Sequence, residues 1–150
     1  RNMTKEVLVT ISGLQFAEDR ENEEAVEIIT AGDYYKRNGK HYIVYEEVTE
    51  GFDAPTKNII KMSADKMDIT KSGTNSVHMM FEKNRKNMSY YYTPYGSLLI
   101  GIDATNVDIK ETEDNIDVKV DYNLEINYEH MADCSITMNI RPRGVGEFHI

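Results

Sequence analysis

Residues 116–128 read Ile-Asp-Val-Lys-Val-Asp-Tyr-Asn-Leu-Glu-Ile-Asn-Tyr. Ile116, Val118, Val120, Tyr122, Leu124, Ile126 and Tyr128 are apolar or aromatic, and every residue between them is polar. Such alternation gives a β-strand one buried and one wet face, whereas a helix would scatter the same side chains around its circumference. At 3.3 Å per residue the run spans roughly 40 Å. A flat sheet seldom holds a strand that long, but a coiled strand in a barrel or bent sandwich does.

Other strand-like runs surround it, separated by turn residues. The pattern predicts strands over 6–16, 25–36, 41–49, 56–63, 66–72, 75–82, 88–93, 97–110 and 132–141. Apolar positions change phase near Gly13 and again near Thr105, as a β-bulge would cause. Asn38-Gly39 predicts a two-residue hairpin, because both central residues of a type I′ turn need positive φ. Residues 83–87 are polar and read as a turn; Pro94-Tyr95-Gly96 reads as another. No window carries a helical stripe, and the connections are short, so sequence neighbours are expected to pair antiparallel. The expected architecture is all-β: one antiparallel meander barrel of about 8–10 strands, with a two-sheet sandwich as the alternative.

The chain has 150 residues, 40% hydrophobic and 29% charged, which suits one domain with its own core. That domain is expected over residues 3–142, with 143–150 as a loosely held tail. No apolar run approaches the ~20 residues of a membrane-spanning helix, and the start carries no apolar stretch typical of a signal peptide. The formal charge of −9 disfavours nucleic acids and anionic membranes as partners. Cys134 is the single cysteine, so no intrachain disulfide forms, and a cytoplasmic location is expected. Its phase with Ile136, Met138 and Ile140 makes it a buried small hydrophobe.

Chemistry-bearing motifs are absent. His41, His78, His130 and His149 lack zinc-site spacing. Gly144-x-Gly146 opens no helix, so a phosphate loop is not expected. Asp103, Asn106 and Asp108 lack the glycine and terminal glutamate of a calcium loop. No catalytic residue, metal or cofactor is expected. Ten Tyr and eight Met stand against four Phe and no Trp. Core filling accounts for much of this; a pocket that orients a small ligand is the functional alternative. Tyr45 and Glu47 share a face with Ile43, and Lys71 shares one with Met67 and Ile69. If those faces point inward, the barrel holds a carboxylate and an ammonium that must find partners or a ligand. The opposite facing, with Tyr42 and Val44 inside, satisfies the pattern equally.

Several segments resemble the YwiB-like family of small bacterial proteins. They are Tyr45-Glu46-Glu47, residues 56–61, Lys71-Ser72-Gly73, Met80-Phe81, and Tyr92-Thr93-Pro94-Tyr95-Gly96 leading into Leu98 and Ile100. The Thr-Pro-Tyr-Gly turn is the most specific element, and the likeness extends over about residues 32–140. Lys71 stands where the family pattern has Arg, which keeps the charge but not a forked contact. The resemblance implies a calycin-like (lipocalin-like) barrel in the bacterial cytoplasm and no known activity. Fatty-acid-binding proteins carry two helices between their first strands; residues 18–24 are too few for that lid, so fold analogy does not assign their ligand.

The favoured expectation is a non-enzymatic barrel binding a small, partly apolar molecule, lined by Tyr45, Glu47, Lys71, Tyr90 and Tyr92. A protein–protein interaction module with a solid core is the alternative. An enzyme using Glu, Tyr and Lys at the barrel mouth is the third reading. Oligomeric state is left open.

Overall fold

The computed structural model describes residues 5–13, 27–48 and 54–143. Ten strands follow in chain order: β1 (Lys5–Ser12), β2 (Glu27–Arg37), β3 (Lys40–Glu47), β4 (Thr56–Ser63), β5 (Lys66–Ser72), β6 (Val77–Glu82), β7 (Arg85–Thr93), β8 (Gly96–Glu111), β9 (Ile116–Ile126) and β10 (Glu129–Pro142). Each pairs antiparallel with its sequence neighbour except β6 with β7, and β10 pairs with β1. The meander therefore curls into a nearly closed up-and-down barrel, as the strand pattern predicted.

The seam between β6 and β7 closes differently from the rest of the wall. One backbone bridge spans it: Ser76 N–H donates to Tyr92 O at 2.9 Å, and Tyr92 N–H donates to Ser76 O at 2.8 Å. Side chains do the rest. Ser89 Oγ donates to the His78 carbonyl at 2.6 Å, and Asn87 Nδ2 donates to the Met80 carbonyl at 3.5 Å. Carbonyls that a ladder would satisfy are thus partly capped by short polar groups.

Register sets what is inside. Val7, Val9 and Ile11 of β1 lie opposite Ile140 and Met138 on one side and Gly32, Thr30 and Ile28 on the other. Because the side-chain period is two, the same phase runs around the wall. It brings Ile43, Ile60, Met62, Met67, Ile69, Met79, Phe81, Ile100, Ile102 and Ile136 into the middle, all essentially inaccessible. Phe81 meets Tyr122 edge-on across the barrel, with ring centroids 5.0 Å apart. The methionines fill gaps between branched side chains, as their flexibility allows.

The bulge near Thr105 is present: the β8–β9 register shifts between Ala104 and Asn106, so Ala104 and Val107 both face inward. Several predicted boundaries move, and two of them have a clear backbone cause. The last strand pair turns at Asn127 (φ 52°) and Tyr128 (φ 72°), so Tyr128 leaves the wall and is exposed although the sequence alternation runs through it. Only Lys83 and Asn84 form the turn predicted at 83–87, because Asn84 adopts positive φ (62°) and its N–H donates to Ala104 O. Arg85, Lys86 and Asn87 then belong to β7. Asn38 and Gly39 have φ of 53° and 77°, the predicted hairpin. The predicted acidic loop at 18–24 and the tail beyond Arg143 lie outside the described residues.

Gly13 ends β1 at φ +86°, where a Cβ would collide with the Ser135 backbone carbonyl. Gly13→Ala is therefore expected to lower the unfolding free energy by about 2–4 kcal/mol, from backbone strain plus overlap. Urea denaturation of the two proteins measures it; an unchanged midpoint would refute this account of the position.

Candidate functional site

One end of the barrel is formed where β1, β3, β5, β7 and β9 finish and β2, β4, β6, β8 and β10 begin. Tyr45, Asn58 and Lys71 lie there in a row across β3, β4 and β5, since Tyr45 pairs with Asn58 and Asn58 with Lys71. Their phase is that of Ile43, Ile60 and Ile69, so they point inward, and Glu47 sits one inward position further along β3. Three hydrogen bonds close a triangle. Asn58 Nδ2 donates to Glu47 Oε1 at 2.9 Å, Lys71 Nζ donates to the same oxygen at 3.0 Å, and Lys71 Nζ donates to Asn58 Oδ1 at 2.9 Å. Asn58 is fully buried, while the side chains of Glu47 and Lys71 retain 27% and 17% exposure, so the pair lies at the border of solvent. An ion pair at that depth is screened less than a surface pair, and Asn58 offsets part of its desolvation.

Tyr45 is 3% exposed, and its hydroxyl is buried with no hydrogen-bond partner among the described residues. Burial, then the negative charge of Glu47, pushes its phenol well above the usual tyrosine range and keeps it a neutral donor. Apolar side chains also point inward at this end. Ile28, Leu98 and Ile126 share the inward phase through Ile11, Ile100 and Leu124, but none is fully covered.

Of the five residues singled out in the sequence, the structure gathers Tyr45, Glu47 and Lys71. Tyr90 and Tyr92 lie on the outer face of β7, half-exposed, with ring centroids 6.0 Å apart. The inward tyrosine of that strand is Tyr91, whose hydroxyl accepts from Asn75 Nδ2 at 3.4 Å. Asn58 escaped the sequence reading, although its phase with Ile60 and Met62 marks it as an inward amide.

His41, read in the sequence only as a histidine without zinc-site spacing, has partners of its own. At the other end of the barrel His41 is buried, with Tyr34 Oη 2.7 Å from Nδ1 and Glu111 Oε1 3.2 Å from Nε2. A carboxylate on Nε2 favours the proton there and leaves Nδ1 to accept from Tyr34. Burial and then Glu111 raise the Tyr34 phenol. Beside it a recess of about 140 Å³ is lined by Tyr34, Glu111, Thr112 and Arg141. A larger groove of about 350 Å³ lies along β1, β8, β9 and β10, between Thr10, Asp108, Lys119 and Thr137. Cys134 is half-buried on the inward face; burial raises its thiol, a hydrogen bond with Tyr122 lowers it, and Asp133 raises it. Among the described residues no group of three His, Cys, Asp or Glu side chains is placed to hold a metal ion.

The fold and this interior define a small antiparallel barrel family. Residues 9–138 match the family described as Domain of unknown function (DUF1934), and the chain belongs to it. It is 26% identical over 137 residues to the Uncharacterized beta-barrel protein YwiB of Bacillus subtilis (strain 168), covering 90% of this chain and 95% of that one. The crystal structure of the ywiB protein from Bacillus subtilis superposes with a TM-score of 0.79 at 19% identity, over 94% of each chain, which establishes the shared fold.

Tyr45 and Tyr122 are both buried and both raised, Tyr122 by burial and then Cys134. Unfolded tyrosines ionise near pH 10. Below that pH neither state loses these protons and the two groups leave stability flat. Above it the unfolded chain ionises while the folded phenols resist, so stability falls as pH rises, by up to about 1.4 kcal/mol per pH unit for each group. Urea unfolding at pH 8 to 11 is expected to show this loss, with a shallower slope in Tyr122→Phe.

Proposed function

We propose that this protein is a non-enzymatic, cytoplasmic bacterial barrel that holds a small, partly apolar molecule at the Tyr45 end, not in the barrel middle. The middle is filled by isoleucines, methionines and Phe81. The observation that carries the reading is the Tyr45 hydroxyl. A buried polar group without a partner costs about 1–3 kcal/mol and is rare in native proteins. Here it lies beside a half-open polar triangle, at the end of the barrel that also carries Ile28, Leu98 and Ile126. A molecule with one polar end would complete the hydroxyl and cover the exposed parts of Ile28 and Leu98.

Tyr45→Phe separates this from simple core packing. Removing an unsatisfied hydroxyl is expected to raise the stability of the ligand-free protein by about 1–2 kcal/mol, while reducing retention of a bound molecule. Thermal unfolding and native mass spectrometry of wild type and variant read both effects. A less stable variant, with no species retained by either protein, would contradict the proposal.

A second reading rests on a separate observation. Met88, Tyr90 and Tyr92 form an exposed row along the outer face of β7, and Tyr95 at the following turn is 98% exposed. Such a row suits a protein–protein contact. If it is a self-contact, light scattering is expected to give a mass above the monomer, returning to the monomer in the double variant Tyr90→Ser, Tyr92→Ser. A monomeric wild type removes the self-contact.

A further inference from the structure

The charge balance at the Tyr45 end constrains what its occupant can be, given the binding role proposed above. We infer that the polar end of the occupant is an uncharged oxygen acceptor, a carbonyl or hydroxyl, and not a carboxylate or an ammonium group.

The argument starts from the closed triangle. Glu47 and Lys71 carry one charge each, 3.0 Å apart, and cancel. Glu47 Oε1 already accepts from both Asn58 and Lys71. A carboxylate entering beside them can accept the third Lys71 N–H, but it then lies against Glu47 with one cation shared between two anions. An ammonium can reach the second Glu47 oxygen, but it then lies against Lys71 with one anion shared between two cations. Either ion is then desolvated with no spare counter-charge among the three side chains, and such burial costs several kcal/mol.

Donors remain for a neutral group. Tyr45 presents a protonated hydroxyl with no acceptor among the described residues. Lys71 spends two of its three N–H groups on Glu47 and Asn58. The Tyr45 O–H is covered in this structure, so an occupant must first part the side chains around it; an acceptor oxygen can then meet it without breaking the triangle, and a primary amide can also offer N–H to the second Glu47 oxygen. The incompletely covered Ile28, Leu98 and Ile126 suit a short hydrocarbon tail. An overall charge of −9 adds a long-range bias against anions. The chemistry fits a small amide, ketone or alcohol and argues against a free fatty acid.

The test is a backbone-amide NMR titration of the full chain at pH 7 with three probes of one tail length: hexanamide, hexanoate and hexylammonium. Hexanamide is expected to give saturable shifts at residues 45, 58 and 71, with a Kd at least tenfold below that of either ion. Tyr45→Phe is expected to weaken hexanamide about three- to tenfold and to leave the ionic probes unchanged. Tighter or equal binding of hexanoate or hexylammonium at these residues overturns the assignment of a neutral head group while the binding role stands. No saturable shift with any of the three overturns the binding role, and this assignment with it. An unchanged hexanamide affinity in Tyr45→Phe overturns the part given to that hydroxyl.

Discussion

The pairing of β10 with β1 is the constraint from which the remaining structure follows. Without it, the wall divides into a six-stranded sheet, β6 to β1, and a four-stranded sheet, β10 to β7, each with one apolar face in water. With it, those faces become one interior, and each inward side chain acquires neighbours from the far wall as well as from its own strand. Phe81 against Tyr122 is the plainest case, since β6 and β9 share no ladder. The pairing is also the most remote in sequence: Val7 meets Pro142 and Ile11 meets Met138. Closing so long a loop is entropically costly and is repaid only once the interior packs. Folding is thus expected to run from local hairpins to late closure, the pattern of a high-contact-order β fold.

Much of the wall was legible because a buried face imposes period two on every strand. The bulge near Thr105 was legible too, since two apolar phases within one strand require an extra residue between them. What misled was polarity and alternation at strand ends. Tyr128 continues the alternation yet sits in a turn, because positive φ at Asn127 and Tyr128 ends the strand whatever the side chains are. Residues 85–87 are polar yet belong to a strand, because Arg85 and Lys86 lie on a wet stretch and Asn87 turns inward to cap a carbonyl.

The site was legible only as a choice between faces. On β3 both phases carry apolar side chains, with Ile43 and Tyr45 on one and Tyr42 and Val44 on the other, so periodicity alone cannot choose. Register decides it: Tyr45 opposite Asn58, and Asn58 opposite Lys71, place the polar groups in one inward row. Tyr90 and Tyr92 lie outside because Asn87, Ser89 and Tyr91 occupy the inward phase of β7. His41 has the same phase as Ile43, but its partners Tyr34 and Glu111 come from β2 and the far end of β8, a meeting no local pattern foretells.

The seam between β6 and β7 bears on how the protein behaves in crowded solution. A sheet that stays open offers two rows of unpaired backbone groups to any other chain, which is the usual route to edge-to-edge aggregation. Here the two edges of the ten-stranded sheet are turned toward each other and tied by the short turn at Lys83 and Asn84. Each edge is the other's nearest template. The gap therefore falls where the covalent chain itself keeps the two strands together, so that after a partial opening each edge has the other close by as a template.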